Sequence, residues 1–195
     1  MVKLGIIGHG FVGKAVDHGF NTNVEKLIVD PKYGEKSIKE IVAEGVVRLF
    51  VCVPTPMNGD GTVNSGIVES VLTEINAEGA LEEKILVILK STVTPEHVKI
   101  FGEKFTNIDL VYNPEFLTEK NYLEDFVQPP MHILGGHTRV THRVQRLYDD
   151  HSQCHHCPVY HTDLVTASFI KYTLNTFLAA KVTYFNQMFD LFQTM

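Results

Sequence analysis

The sequence predicts an α/β protein with a doubly wound parallel sheet, followed by a long C-terminal helix. Short runs of Val, Ile and Leu alternate with segments of helical periodicity, and within each run the apolar residues are consecutive. Consecutive apolar residues are typical of strands that helices cover on both faces. The regular alternation of strands and helices indicates βαβ units with right-handed crossovers.

Each element follows from its own pattern and punctuation. The six runs predicted as parallel strands occupy residues 3–8, 26–30, 48–53, 85–90, 108–112 and 132–135. Apolar residues at three- and four-residue spacing predict helices over 12–20, 37–44, 65–76, 95–105 and 139–149. Pro95 suits a first helical turn, and Pro129-Pro130 breaks the chain before the sixth strand. A last helix is predicted from Asp163 to the final residue, roughly 50 Å if unbroken.

Composition bounds the class of protein. A chain of 195 residues with 44% apolar residues can build one large core, which excludes disorder and low complexity. Its net charge of −6 argues against nucleic acid and anionic membranes as partners. The amino terminus lacks the pattern of a cleaved leader, no apolar run approaches membrane length, and the three Cys do not form a secreted framework, so we expect a cytoplasmic protein.

A glycine-rich turn carries the first chemical signature. Gly8-His9-Gly10-Phe11-Val12-Gly13 follows the first strand and opens a helix, as required of a Rossmann-like dinucleotide site. Asp30 ends the second strand, where a carboxylate can accept hydrogen bonds from an adenosine ribose. A carboxylate there favours NAD over NADP, although Lys32 lies two positions later. The alternative is a glycine turn that binds no ligand.

Four further segments resemble the UDP-glucose/GDP-mannose dehydrogenase family when they are taken with the glycine turn. They are Val53-Pro54-Thr55-Pro56-Met57, Lys90-Ser91-Thr92-Val93, Asn113-Pro114-Glu115-Phe116-Leu117-Thr118-Glu119 and Lys171-Tyr172-Thr173-Leu174-Asn175. The first three follow predicted strands, whose carboxyl ends border the ligand crevice of an open α/β sheet. The resemblance covers nearly the whole chain, and the third segment is its most specific portion.

The resemblance implies NAD-dependent oxidation of the 6-hydroxyl of a nucleotide sugar of the UDP-glucose type. Its implied catalytic residues are Thr92, Glu119, Lys171 and Asn175, and its implied substrate-binding residues are Glu115, Phe116, Leu117, Lys171 and Asn175. The predicted cofactor-binding residues are Gly8, Gly10, Phe11, Val12, Gly13, Asp30, Lys32, Thr55, Thr92 and Glu119. Lys171 and Asn175 lie four positions apart, on one face of a helix, as suits two groups directed at one oxygen.

The residues also allow plainer interpretations. Glu115 and Glu119 would, by themselves, fit an exposed loop pair, and Thr55 and Thr92 would fit hydroxyl caps at strand ends. Lys171 lies in an apolar helix, so its ammonium either reaches the surface or faces a cleft.

The resemblance also implies how the chain divides into domains and which parts of the family's proteins lie outside it. Residues 1–160 are expected to form the NAD-binding domain and residues 161–195 the start of a central helix. The length and apolar character of this helix predict a homodimer whose contact lies over residues 174–192. The family's sugar-nucleotide domain and its catalytic cysteine would lie beyond Met195, and Thr118 replaces the family's usual Arg. Cys154 and Cys157 lie among histidines, but they make only half of a zinc signature, and no metal is expected.

Two other functions remain open. Enzymes similar to 6-phosphogluconate and 3-hydroxyacid dehydrogenases carry out a two-electron oxidation, also place Lys and Asn one turn apart, and need no cysteine. A truncated module that binds NAD or a partner without turnover is the third hypothesis.

Overall fold

A computed structural model describes residues 1–20, 23–34, 36–79 and 84–195. Among these residues, a single sheet contains the strands in the order β2-β1-β3-β4-β5-β6-β7. Their bounds are β1 (Val2–Ile7), β2 (Val24–Val29), β3 (Arg48–Val51), β4 (Ile85–Leu89), β5 (Ile108–Tyr112), β6 (His132–Gly135) and β7 (Val159–Thr162). The helices are α1 (Phe11–Gly19), α2 (Ile38–Ala43), α3 (Gly66–Glu78), α4 (Pro95–Lys104), α5 (Tyr122–Val127), α6 (Thr138–His151) and α7 (Leu164–Gln193).

Local chemistry fixes several helix starts. Ser37 and Glu40 form a reciprocal capping box at α2, and Thr94 caps α4 ahead of Pro95. The Asp163 carboxylate accepts a hydrogen bond from the Thr166 backbone N–H at the start of α7. These caps satisfy backbone donors that have no partner within the helix.

The doubly wound α/β fold is confirmed, because each face of the sheet is covered by its own helices. On one face, residues of α2, α3, α4 and α7 pack on the strands in a cluster that includes Ile41, Leu72, Phe101 and Ala167. On the other face, Phe20, Val144 and Tyr148 belong to a second cluster, with α1, α5 and α6. The sheet is therefore buried on both sides, as its consecutive apolar runs predicted.

The far edge of the sheet differs from the sequence prediction. β6 pairs antiparallel with β5 through Tyr112 and Gly135, so predicting it as parallel to its neighbour in the sheet was wrong. A parallel partner would require a crossover that returns the chain to the opposite edge. Here the connection contains α5, which packs on α1, so the chain enters β6 from the carboxyl edge. α5 and the short, half-polar strand β7, which pairs parallel with β6, were not predicted.

The long final helix is buried only near its start. There Ala167, Ser168 and Lys171 are buried, and the Ser168 hydroxyl donates to the Val93 carbonyl at 2.6 Å. Every residue from 175 to 195 is exposed. Within the described residues, no helix is long and apolar enough to cross a bilayer. The division at residues 160 and 161 remains a prediction.

Candidate dinucleotide site

The order of the strands places a crevice beside β1. From β1 the chain first adds β2 on one side and then β3 on the other, and ligands bind open α/β sheets at such a switch point, outside the carboxyl ends of the strands. A cavity of about 410 Å³ lies there. Its lining includes these predicted site residues: Gly8, Gly10, Phe11, Val12, Asp30, Thr55, Thr92 and Glu115.

Glycine suits each of the three positions of the turn for a different structural reason. Gly8 has a φ of +86°, and a Cβ on Gly13 would lie 2.0 Å from the Gly8 carbonyl oxygen. A Cβ on Gly10 would have no heavy atom within 4 Å, so this glycine leaves space open at the cavity. No side chain caps the α1 N-terminus that follows. The turn therefore offers uncapped N–H groups in an open cradle, as a pyrophosphate requires.

Asp30 is fixed at the end of β2 by two backbone N–H groups. His9 donates to one carboxylate oxygen at 2.6 Å and Lys32 to the other at 2.8 Å. The hydrogen bond from the His9 backbone holds the pKa of Asp30 below its usual value. A negative charge with free lone pairs thus lies beside the glycine turn, which fits the ribose of a dinucleotide.

A second cavity extends the first. It has a volume of about 750 Å³ and shares with the first Gly8, Asp30, Val53 and Pro54. Its remaining lining is largely apolar and includes Ile38, Ile67 and Val71, with Lys32 at the edge. The two cavities together form one crevice on both sides of the glycine turn.

A buried ion pair joins α7 to this crevice. The Lys171 ammonium donates to Glu115 Oε1 at 3.0 Å and to the Glu115 carbonyl oxygen, and it lies 5.3 Å from the centre of the Phe116 ring. The two side chains are only 5% and 11% exposed. The Leu117 N–H binds Glu115 Oε2 at 2.6 Å. Lys171 is therefore buried against Glu115, which lines the crevice, and Glu115 is not an exposed loop residue.

The other predicted residues divide into two groups. Phe116 packs against the core of one face and Leu117 against that of the other, both partly buried. Glu119 and Asn175 are exposed and do not line the described cavities. The roles of Glu119 and Asn175 therefore stay predictions.

The loop that carries Glu115 is anchored without the family's usual Arg. The Thr118 backbone N–H and hydroxyl both donate to Asp125 Oδ2, at 2.7 and 2.5 Å. Asp125 lies in the first turn of α5, so this contact fastens the loop to that helix.

Five residues of the cavity lining were not among the predicted site residues: Cys52, Val53, Pro54, Lys90 and Ser91. Lys90 and Cys52 are the two of them that titrate. Lys90 is 4% exposed, and its ammonium donates to Asn113 Oδ1 at 3.1 Å. Burial lowers the pKa of Lys90 to about 8 and raises that of Cys52 to about 12. The signal for Lys90 was a lysine that ends an apolar strand, whereas Cys52 resembles any core residue.

The histidine-rich segment, with β6 and α6, lines a cavity of about 340 Å³. Among the described residues, His, Cys, Asp and Glu side chains form no group suited to holding a metal ion. Cys154 instead donates to the Phe126 carbonyl oxygen, with Sγ at 3.1 Å.

A parallel sheet with a glycine turn, an uncapped helix and a carboxylate at its switch point defines a dinucleotide-binding type of domain. The chain belongs to the UDP-glucose/GDP-mannose dehydrogenase family, since the NAD binding domain of that family matches residues 14–152. The match begins directly after Gly13, so the glycine turn supports the assignment independently.

Named relatives agree with this family. The chain is 31% identical over 147 residues to a UDP-glucose 6-dehydrogenase of Rickettsia bellii, an alignment that covers 73% of this chain and 33% of that protein. The structure of a UDP-glucose dehydrogenase from Pyrobaculum islandicum is similar with a TM-score of 0.77 and 26% identity, over 96% of this chain and 52% of that one. The chain thus spans a third to a half of these relatives.

The fold is also similar to that of a dehydrogenase of another class. A 3-hydroxyisobutyrate dehydrogenase of Mycobacterium tuberculosis has a TM-score of 0.73 at 16% identity, over 98% of this chain and 65% of that one. At this identity the similarity concerns the fold alone.

Proposed function

We propose that this chain binds NAD across the crevice and serves as the cofactor-binding portion of a nucleotide-sugar 6-dehydrogenase. The observation that carries the proposal is the uncapped α1 N-terminus beside the open Gly10 position, with Asp30 fixed next to it. The amides of the turn would hold the pyrophosphate. The larger, apolar cavity would take the adenosine, and the smaller cavity, with Thr55 and Thr92, the nicotinamide.

Asp30 supports a preference for NAD over NADP. Because backbone hydrogen bonds keep its carboxylate charged, a 2′-phosphate on the adenosine ribose would be repelled. The nearby Lys32 is exposed, and solvent screens its attraction for such a phosphate.

We propose UDP-glucose as the substrate, following the name of the relative from Rickettsia bellii. NAD, when bound, supplies the hydride acceptor. Two donors of the Lys171 ammonium contact Glu115, so Lys171 would hold that carboxylate at the cavity wall, where Glu115 would meet the substrate. Glu119 and Asn175 would face the substrate only when a sugar-nucleotide-binding domain covers the crevice. Cytoplasmic residence stays a prediction.

One observation favours a cofactor-binding module without acid formation as the second candidate. Oxidation of an aldehyde through a cysteine needs a thiolate. Cys52 lines the cavity with its pKa raised to about 12, and burial also raises the pKa of Cys154 and Cys157. None of these three thiols is therefore suited to that role.

Calorimetric titration of the chain with NAD and NADP tests the proposal. We expect NAD to bind more tightly than NADP, and Asp30→Ala to weaken NAD binding about tenfold or more. Asp190→Ala, at an exposed position of α7, is the matched control and should bind like the parent chain. Absence of NAD binding, or equal binding by both Asp variants, would contradict the proposal.

Turnover separates the candidate activities. NADH formed from UDP-glucose supports the nucleotide-sugar assignment, whereas NADH formed from 3-hydroxyisobutyrate would replace it with the two-electron class. NAD binding without NADH formation from either substrate would support the second candidate, a cofactor-binding module without turnover.

We also propose that the chain forms a homodimer through α7. Beyond Asn175 this helix exposes large apolar side chains, including Phe177, Leu178, Phe185 and Phe189, each more than half exposed. At 3.6 residues per turn, these four fall within about 120° of the helix circumference. Contiguous apolar surface of this kind marks an interface. Sedimentation should show a dimer that Phe185→Asp converts to a monomer. A parent chain that stays monomeric at micromolar concentration would refute the dimer.

A further inference from the structure

Three of the four arginines of this chain line one cavity that is remote from the crevice. The cavity has a volume of about 350 Å³, and Arg48, Arg143 and Arg146 contribute to its lining. Arg48 begins β3, and Val2, which begins β1, also borders the cavity. The glycine turn follows the opposite end of β1, roughly 20 Å away at about 3.3 Å per residue.

One helix supplies most of this surface. Arg143, Arg146, Leu147, Asp150 and His151 follow each other in α6 at spacings of three, one, three and one. Residues at such spacings share one helical face. The face is directed at the amino ends of β1, β3 and β4, and the buried Leu86 and Leu147 border the cavity.

The cavity holds positive charge in an otherwise acidic protein. Arg143 is paired with Asp109 at 2.6 Å. Within the described residues, neither Arg48 nor Arg146 has a hydrogen-bond or ion-pair partner. Among the described lining residues, and leaving the paired Arg143 aside, Arg48 and Arg146 face one carboxylate, that of Asp150, so these three groups keep a net charge of +1. Cations converging on a concave site attract an anion more strongly than scattered charges do.

We propose that this cavity is a second ligand site, specific for a small molecule that carries a phosphate or diphosphate group. The planar guanidinium of arginine matches phosphate oxygens with two parallel hydrogen bonds. The concave shape and small volume suit a free metabolite or nucleotide, and the net charge of −6 disfavours a polyanion that spans the surface. The site lies apart from the NAD crevice and does not depend on the function proposed above.

Titration of the chain with inorganic pyrophosphate, inorganic phosphate and uridine monophosphate at low salt tests the site. We expect pyrophosphate to bind, and Arg48→Gln and Arg146→Gln each to weaken binding about tenfold. Arg139→Gln is the matched control, because Arg139 belongs to α6, is exposed and does not line the cavity. Tighter binding of uridine monophosphate than of inorganic phosphate would assign a nucleotide, and the reverse order an inorganic ion or simple phosphate ester.

Amide chemical shifts provide a second measurement that needs no variant. Pyrophosphate in the proposed site should shift the amides of Val2, Arg48 and His151. Shifts confined to the glycine turn would place the anion in the dinucleotide crevice and overturn the proposal. Absence of binding at millimolar pyrophosphate, or equal affinity in the Arg48, Arg146 and Arg139 variants, would also overturn it.

Discussion

Replacing Lys171 by Met is expected to destabilise the fold markedly, because it leaves a buried carboxylate without its cation. The Glu115 and Lys171 side chains are 11% and 5% exposed. Removing one member of a buried pair typically lowers the free energy of unfolding by about 3 to 5 kcal/mol. Glu115 keeps its hydrogen bond from Leu117 and some exposure, so we expect a loss of about 2 to 3 kcal/mol.

A double-mutant cycle isolates the interaction between the two side chains. Glu115→Gln removes the negative charge, and combining it with Lys171→Met should destabilise by at least about 1 kcal/mol less than the sum of the single changes. Urea unfolding followed by far-ultraviolet circular dichroism gives each free energy, since the chain contains no Trp. Lys99→Met, at an exposed position of α4 and outside the proposed dimer interface, is the control. Single effects that add within about 0.5 kcal/mol, or equal effects of the two Lys variants, would refute the buried pair.

The remaining predictions concern three regions of the fold. Gly13→Ala should reduce the free energy of unfolding by about 1 to 3 kcal/mol, because its Cβ would meet a backbone oxygen at 2.0 Å. Gly10→Ala should weaken NAD binding in calorimetry with a smaller effect on stability. Between pH 8 and 10.5 unfolded Lys90 holds a proton that folded Lys90 has released, so Lys90 contributes a rise of about 2 kcal/mol in stability from pH 7.5 to 9.5. The raised pKa of Cys52 opposes this rise in the total, so urea titrations should show the parent chain gaining about 2 kcal/mol relative to Lys90→Met over this range. Ser37→Ala should cost about 1 kcal/mol in thermal unfolding through loss of the α2 cap, and an unchanged midpoint would contradict it.

The spacing of apolar residues predicted most strands and helices, because each such element shows this spacing within its own segment. β5, for example, begins and ends at the predicted residues. The order of the parallel strands then follows from short right-handed crossovers, so the carboxyl ends that carry Gly8, Thr55 and Thr92 meet at one edge. The direction of β6 was beyond such reasoning, since it depends on where α5 packs.

The strand–helix alternation and the chemistry of the glycine turn could be read from short stretches of sequence, because both depend on neighbouring residues. That Lys171 meets Glu115 across 56 positions, and that Arg48 and Arg146 line one cavity, became visible only in the folded chain. Such pairs depend on how helices seat on the sheet, which the periodicity of a single segment does not encode. Burial also separates residues of the same type. Glu115 and Lys171 are buried and form an ion pair, whereas Glu119 and Lys181 are exposed to solvent.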